Sequence, residues 1–133
     1  LQIKYYRKTN TVMSKLGKPI SQRQLRVGEM IKQSLSMIFL REETKIPDLD
    51  TKSVTVTEVR MSPDLKTAKI FVIPLGGKDK EKIIEKLKEF SFVIRKVLSK
   101  KIMVKFMPKL FFVNDDSFDY AEKIENLIRQ TQK

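Results

Sequence analysis

The stretch from Lys78 to Val113 constrains the fold most, because a long helical pattern runs into a strand there. Its apolar residues recur every three or four positions, as on the buried face of an α-helix. They are Ile83, Leu87, Phe90, Ile94 and Val97. On a straight helix with about 100° per residue, Phe92 would point away from this face. Either Phe92 contacts a partner, or the helix does not run straight through Ser91 and Phe92.

A basic run begins directly after this anomaly, and no acidic residue interrupts it before Asp115. Its members are Arg95, Lys96, Lys100, Lys101, Lys105 and Lys109. Lys100 and Lys101 suit the C-terminal end of a helix, where cations favour the helix dipole. That explanation does not extend to the other members. We therefore interpret the run as a candidate anion-binding surface beside the irregular part of the helix.

The charge balance indicates the kind of partner. The chain has 133 residues, with 28 Lys and Arg against 16 Asp and Glu, and a net charge of +12. This length predicts one domain with tails. So much positive charge repels itself unless it meets an anion, and nucleic acid is the commonest anionic partner. A membrane surface would need a basic amphipathic helix flanked by exposed apolar residues, so we expect no membrane partner.

Missing residue types exclude several chemistries. The sequence has no Cys and no His, which excludes disulfides, zinc sites, thiol nucleophiles and imidazole bases. The phosphate-binding motifs GxxxxGKS, GxxxxGKT and GxGxxG are also absent. Asp115 and Asp116 are adjacent carboxylates, but a helix cap explains them better than acid catalysis. We expect a soluble cytoplasmic binding protein, not an enzyme, with no catalytic residue, metal, cofactor or small-molecule substrate.

Residues 1–20 carry cations but no acidic residue, and they show no apolar periodicity. We predict a disordered basic arm. Met13 is a candidate internal start. Residues 1–12 either belong to the native protein and bind phosphate, or do not belong to the native protein. Both interpretations stay open.

The first helix should begin at Ser21, because Ser21 and Gln24 match the S-x-x-Q capping box. A core-facing stripe follows, made of Val27, Met30, Ile31, Leu35 and Ile38. Arg23 and Arg26 lie off this stripe in the first turns, where cations oppose the helix dipole by roughly a few tenths of a kcal/mol. They form either a solvated face or a contact for an anion, which would offset that cost.

A β-hairpin should follow, from Val54 to Leu75, since both halves are rich in strand-forming residues and the turn between them has the sequence Ser-Pro-Asp. In the first strand the apolar alternation changes phase, which predicts a bulge near Thr57 and Glu58. In the second strand Ala68, Ile70 and Val72 share one face. The opposite face carries Lys69, Phe71 and Ile73, and the two apolar residues there are either core or a contact surface.

Towards the C-terminus we predict that Asp79 caps the long helix and that a third strand covers residues 104–113. Residues 114–117 read as a helix N-cap, a last helix covers 117–129, and 130–133 form a frayed tail. The predicted domain, 21–129, is α+β. Its order is helix, strand, strand, kinked helix, strand, helix, with the helices on one face of a three-stranded sheet.

Several stretches of the chain resemble one family. They are SQRQLRVGEMIKQSLSMIF from Ser21, VTEVRMSPDLKTAKIFVIPLG from Val56, FSFVIRKVLSKKI from Phe90 and MPKLFFVNDDSFDYAEKIENLI from Met107. They are similar to ribosome-binding factor A, a family of bacterial and organellar assembly factors of the small ribosomal subunit. The strand–SPDL–strand hairpin is the most specific of these similarities, and together the stretches cover most of the chain.

The resemblance implies a KH-like fold of type II. The sequence has no GxxG, the loop that grips the nucleic-acid backbone in true KH domains. The family has an Ala-x-Gly kink between two helices instead, and Phe90, Ser91 and Phe92 stand at its positions here. Because Phe lacks the backbone freedom of Gly, a sharp kink and a straighter helix are both compatible with the sequence.

The function implied by the resemblance is binding to free small ribosomal subunits and their RNA during late maturation, with a role in cold adaptation. The expected RNA-binding residues are Arg23, Arg26, Ser91, Phe92, Arg95, Lys96, Lys100, Lys101 and Lys105. We expect a monomer. The alternatives are a permanent structural ribosomal protein and a general RNA-binding protein, although few aromatic residues are expected at the surface to stack on bases.

Overall fold

The order of elements is set out by a computed structural model, which describes residues 20–75, 79–117 and 127–128. The helices are α1 (Gln22–Leu40), α2 (Lys80–Glu89) and α3 (Ser91–Ser99), and a short 3₁₀ helix spans Thr51–Ser53. The strands are β1 (Val54–Met61), β2 (Thr67–Pro74) and β3 (Lys109–Asn114). They form a three-stranded sheet, which confirms the predicted α+β class.

Helix α1 begins where its sequence predicts. The Ser21 backbone N–H donates to Gln24 Oε1 at 2.9 Å, and the Gln24 N–H donates to Ser21 Oγ at 3.1 Å, so both halves of the capping box form. Ile31, Leu35 and Ile38 are buried as expected. The other two predicted stripe residues, Val27 and Met30, are only half-buried, while Phe39 joins the core.

Gly28 lets α1 lie unusually close to β1. A Cβ atom on Gly28 would stand 2.7 Å from the Val59 carbonyl oxygen, which is closer than non-bonded atoms approach. Nearby, the Gln24 side chain donates from Nε2 to the Met61 carbonyl at 3.0 Å. The backbone contact and the buried hydrogen bond together fix α1 on the first strand.

The hairpin has the predicted form. β1 and β2 pair antiparallel, and their register shifts between Val56 and Glu58, which leaves Thr57 as the bulged residue. In the connecting turn Asp64 Oδ1 accepts hydrogen bonds from Ser62 Oγ at 2.6 Å and from the Lys66 N–H at 3.0 Å. These donors, the Ser62 hydroxyl most of all, hold the pKa of the Asp64 carboxyl below its usual value.

The two faces of the sheet differ in burial. Val56, Ile70 and Phe112 are buried in the same core as the apolar residues of α1, α2 and α3. Phe71 and Ile73 point to the opposite face by strand alternation, and both are half-buried there. We call that opposite side the open face of the sheet. The prediction had left these two residues as either core or contact surface, and they lie outside the main core.

The long helix of the sequence pattern is broken at Phe90. This residue leaves the helical conformation, with φ −99° and ψ 16°, and it separates α2 from α3. Because φ is negative, the break does not need a glycine. Ile84 and Leu98 are buried in the two helices, whereas Ile83 and Val97, which the straight stripe predicted, are half-buried. Leu87 and Ile94 of the predicted stripe are buried with Ile84 and Leu98, so the buried face is rotated from the predicted stripe by less than one residue step.

Two further predictions were wrong in detail. Asp79 stands at the N-cap position of α2, but its side chain makes no capping hydrogen bond. The third strand begins at Lys109 rather than at residue 104, and it pairs parallel with β2. Pro108 lacks the N–H that a ladder requires, and the carbonyls of Met107 and Pro108 accept hydrogen bonds from an arginine side chain instead.

Asp115 holds the turn after β3, and its role as the cap of the predicted last helix stays a prediction. Asp115 Oδ1 accepts a hydrogen bond from the Ser117 N–H at 3.0 Å, and Asp115 Oδ2 accepts one from the bulged Thr57 hydroxyl at 2.6 Å. Both carboxylate oxygens therefore have structural partners. Residues 1–19, residues 118–126 and the tail 129–133 lie outside the described residues, and with them lie the predicted basic arm, most of the last helix and the frayed end.

Candidate nucleic-acid interface

The candidate site is built on residues 95–105, which we call the cationic segment. It starts in α3, continues through the end of that helix and ends in the loop before β3. It contains Arg95, Lys96, Lys100, Lys101 and Lys105 and no acidic residue. Five of the predicted RNA-binding residues therefore lie in one stretch of the sequence, which the structure folds as the end of α3 and the loop after it.

Arg95 is the best-anchored cation of the segment. It is half-buried, its Nε donates to the Pro108 carbonyl at 3.0 Å, and its Nη2 donates to the Met107 carbonyl at 2.7 Å. A guanidinium fits this task because its donors point in fixed directions. Arg95 thus holds the loop before β3 against α3, and part of its donor capacity is committed to that contact.

Lys101 has an acidic partner from another element. Its Nζ lies 3.1 Å from Glu43 Oε1, and the two side chains remain partly exposed to solvent. Exposed pairs of this kind contribute little to stability, typically about 0–1 kcal/mol. A phosphate group could therefore replace Glu43 as the partner of Lys101 at small cost.

Lys96, Lys100 and Lys105 are the most available cations of the segment. All three are exposed, and within the described part of the chain no ion pair engages them. Lys105 Nζ lies 5.6 Å from the centroid of the neighbouring Phe106 ring, a weak cation–π contact. These lysines are therefore the cations of the segment that are most accessible to an anionic ligand.

Ser91 and Phe92 occupy the start of α3, directly after the break. Ser91 is half-buried, and the side chain of Phe92 is 72% exposed. The helix breaks next to Phe92, as one of the two interpretations of this residue required, and the ring faces solvent, so a partner contact at Phe92 stays a prediction. Phe90, at the N-cap position of α3, makes no side-chain cap for the first amides of that helix.

Arg23 and Arg26 belong to a different element, the first turns of α1. Both are exposed, the first turn of α1 holds no acidic residue, and no described ion pair involves either arginine. They remain compatible with phosphate binding, but they are not part of the cationic segment.

Exposed aromatic residues are more numerous than the sequence led us to expect. Besides Phe92, the rings of Phe106 and Phe111 are 73% and 52% exposed, and Met103 is 97% exposed. The expectation that few aromatics reach the surface was therefore wrong. Phe106 lies in a loop that the sequence assigned to the third strand, which is why the sequence did not mark this ring as exposed.

Other kinds of site find little support in the described residues. No group of three or more acidic, His or Cys side chains is arranged there to hold a metal ion. Among the helices in residues 20–75, 79–117 and 127–128, none is long and apolar enough to cross a membrane. What the described surface offers is cations and exposed rings.

Comparison with known proteins gives one consistent family. The family model described as Ribosome-binding factor A matches residues 23–128. A protein named Ribosome-binding factor A from Pelagibacter ubique is 68% identical over 119 residues, which covers 90% of this chain and 98% of that relative.

Solved structures show the same fold at lower identity. The solution NMR structure of a putative ribosome binding factor A from Thermotoga maritima is 24% identical, with a TM-score of 0.60, and covers 76% of this chain and 94% of the other. A homology model of the Thermus thermophilus ribosome binding factor A, fitted into a cryo-EM map of its 30S complex, is 18% identical. Its TM-score is 0.53, and the match covers 67% of this chain and 91% of that one.

Proposed function

The chain belongs to the ribosome-binding factor A family, and on that premise we propose that it binds free small ribosomal subunits through their RNA during late maturation. The observation that carries this proposal is the cationic segment, in which exposed lysines follow one another without an acidic residue. A relative of the same name that was fitted into a map of a 30S complex supports the choice of subunit.

The proposed mechanism is neutralisation of phosphates on folded RNA. Lys96, Lys100 and Lys105 supply mobile positive charge, and Lys101 joins them by exchanging Glu43 for phosphate. Arg95 acts mainly by holding the segment in place, with its remaining donors facing the RNA. Contacts to phosphate set position rather than sequence, and their strength falls steeply as salt rises.

Residues outside the segment complete the proposed interface. Arg23 and Arg26 contact phosphates from the first turns of α1, where a nearby anion also relieves their unfavourable interaction with the helix dipole. Ser91 and Phe92 contact a nucleotide at the start of α3, Ser91 through its backbone amide or hydroxyl and Phe92 by stacking. The exposure of Phe92 and the uncapped start of α3 support this placement.

We further propose that the fold is a KH-like domain of type II with its helices on one face of the sheet. Its support is the common core that unites Leu35 of α1, Leu87 of α2 and Leu98 of α3 with one set of strand residues. The break at Phe90 takes the place of the family's Ala-x-Gly kink. In this fold, cations bind the nucleic-acid backbone in place of the GxxG loop of true KH domains.

The remaining parts of the proposal follow from the family and the charge. The protein acts in the cytoplasm as a monomeric assembly factor without catalytic activity, and it takes part in rRNA processing and cold adaptation. It holds an RNA conformation until assembly completes and then leaves the mature subunit.

Sucrose-gradient sedimentation of cell lysate, at low and at moderate salt, tests this function. We expect the protein to sediment with free small subunits, to be scarce in joined ribosomes and to be lost from the subunits as salt rises. Full stoichiometry in joined ribosomes would instead identify a permanent ribosomal protein. A protein that stays at the top of the gradient at every salt concentration would have another partner.

A further inference from the structure

The open face of the sheet carries a second cationic surface, remote in sequence from the cationic segment. Arg60, Lys69 and Phe111 are direct neighbours across the three strands, because Arg60 pairs with Lys69 and Lys69 pairs with Phe111. Lys109 lies two residues before Phe111 on the same face of β3. These four residues occupy the half of the open face nearest the Ser62–Lys66 turn, and we call them the turn-side patch.

The patch is exposed and predominantly positive. Arg60, Lys69, Lys109 and Phe111 are all exposed, and Lys66 adds a further cation from the turn, where its carbonyl accepts the Lys109 N–H at 2.9 Å. Two acidic residues are near. Glu58 binds Arg60 Nε at 2.6 Å, and Asp64 is engaged by the turn itself. Lys69 and Lys109 have no such described partner.

The two aromatic rings of the open face are in different situations. The Phe71 ring is half-buried, and Arg60 and Lys69 both lie 5.4 Å from its centroid, so cations already occupy it. Phe111 is 52% exposed. Lys69 pairs with Phe111, and neighbouring strands are about 4.8 Å apart, so the Lys69 backbone lies beside Phe111. Phe111 is thus an open ring next to two lysine-bearing positions of the sheet, Lys69 and Lys109.

We propose that the turn-side patch binds a single-stranded RNA nucleotide, whose base stacks on Phe111 while Lys69 and Lys109 contact the adjoining phosphates. The inference rests on the proposed function only in taking RNA as the ligand, and it assigns a surface on the other side of the sheet from the core. Aromatic side chains on an open β-sheet are a general means of stacking unpaired bases.

The charge selects this occupant over others. A protein partner for a cationic, half-apolar face would have to be acidic at its centre, whereas central positions of protein interfaces are depleted of charge. An RNA duplex offers phosphates to Lys69 and Lys109, but its stacked bases cannot reach Phe111. Only an unpaired nucleotide uses both the ring and the lysines.

The test measures binding of labelled oligouridylate of about eight nucleotides, and of an RNA duplex of equal length, by fluorescence anisotropy. Phe111→Leu removes the aromatic face but keeps an apolar side chain. Phe111→Tyr keeps the aromatic ring. Thr55→Ala, at the far end of the open face, is the matched control. Thermal melting verifies that each variant is folded.

The proposal predicts that Phe111→Leu weakens binding of the single strand by about ten-fold and leaves duplex binding within about two-fold. Phe111→Tyr and Thr55→Ala should bind the single strand like the wild type. Lys69→Met should lower the slope of log affinity against log salt by about 0.7, as one lost phosphate contact on a single strand requires. This slope remains a readout if Phe111→Leu is unstable.

Single-strand affinity that is unchanged by Phe111→Leu, with an unchanged slope for Lys69→Met, overturns the proposal. If Phe111→Leu then still weakens binding to purified small subunits, the patch docks a protein instead. The proposed function and the proposal for the turn-side patch can each be refuted without the other. Loss of single-strand binding on Phe111→Leu in a protein that never binds subunits would leave this inference standing and refute the proposed function.

Discussion

Helix α1 and the cationic segment both carry cations that face solvent, but the two regions are anchored by different kinds of residue. Neutral groups fix α1: the Gln24 amide binds the Met61 carbonyl, the Thr51 hydroxyl binds the Phe39 carbonyl at 2.7 Å, and Gly28 allows close backbone contact. No ion pair among the described residues engages Arg23 or Arg26. In the cationic segment the anchor is itself a cation, Arg95.

The difference teaches that positive residues close in sequence do not share one role. A count of charges treats Arg95, Lys96 and Lys100 alike, yet the first ties two elements together and the other two extend into solvent. Substitutions should therefore separate stability from binding within a few residues of one helix. The following predictions test that separation, beginning with the largest expected effect.

Arg95→Met should lower the free energy of unfolding by about 2–3 kcal/mol, because the Met107 and Pro108 carbonyls lose a charged donor. Two hydrogen bonds from a charged donor contribute about 3 kcal/mol at the low end, and we expect no more than this because Arg95 is only half-buried. Lys96→Met is the matched control and should stay within about 0.5 kcal/mol of the wild type. Urea unfolding measures both, and equal losses in the two variants would show that Arg95 is not an anchor.

The double variant Lys96→Gln and Lys100→Gln should bind small subunits about thirty-fold more weakly near 0.15 M salt. This corresponds to a loss of about 2 kcal/mol in binding free energy. Two lost phosphate contacts also lower the salt slope by about 1.8. Stability should not change. Equilibrium binding to purified subunits across a salt series gives both quantities.

The control for the Lys96 and Lys100 double variant is the double variant Lys45→Gln and Lys52→Gln. It removes the same charge outside the predicted site and should lower the affinity for small subunits by less than about three-fold. Comparable losses in the two double variants would mean that total charge, and not the cationic segment, drives binding. Arg23→Gln with Arg26→Gln is the third arm. Unchanged affinity there would remove α1 from the proposed interface.

Gly28→Ala tests the neutral anchoring of α1. The added methyl group meets the Val59 carbonyl oxygen at 2.7 Å, a backbone atom that cannot rotate away. Such overpacking costs about 1–3 kcal/mol, while alanine gains about 1 kcal/mol in helix propensity. The net expectation is a loss of about 1 kcal/mol in unfolding free energy. Gln33→Ala, on the exposed side of α1, should not destabilise, and a stabilised Gly28→Ala would contradict the close contact.

The smallest effect concerns Lys101 and Glu43. A double-mutant cycle with alanine at both positions should give a coupling of about 0.5 kcal/mol or less, since the pair is partly exposed. Calorimetric or denaturant unfolding of the four proteins measures it. A coupling above about 1.5 kcal/mol would make Lys101 a structural residue, like Arg95, and would withdraw it from the RNA-binding set.

The parts of the fold that follow from local signals could be predicted from the sequence. The capping box of Ser21 and Gln24 set the start of α1, and the change of phase in β1 located the bulge at Thr57. These features depend on residues that are neighbours in the chain, so propensity and periodicity are sufficient to find them.

The parts that failed depend on distant contacts. The third strand was predicted too long, because nothing in residues 104–108 reveals that Arg95 occupies their carbonyls. The turn-side patch was also invisible, since Lys69 and Phe111 become neighbours only when β3 pairs parallel with β2. The position of Phe92 indicates a break in the helix, but the burial of Ile84 and Leu98 in place of Ile83 and Val97 is visible only in the structure.

Equilibrium binding of the labelled protein to purified small and large ribosomal subunits, over a range of salt, tests the central claim most directly. We predict saturable binding to the small subunit alone, with log affinity falling linearly against log salt. Three to five engaged cations correspond to a slope of about −2.7 to −4.5. Binding that does not change with salt, or that is equal for both subunits, would contradict the assignment of the cationic segment as the interface.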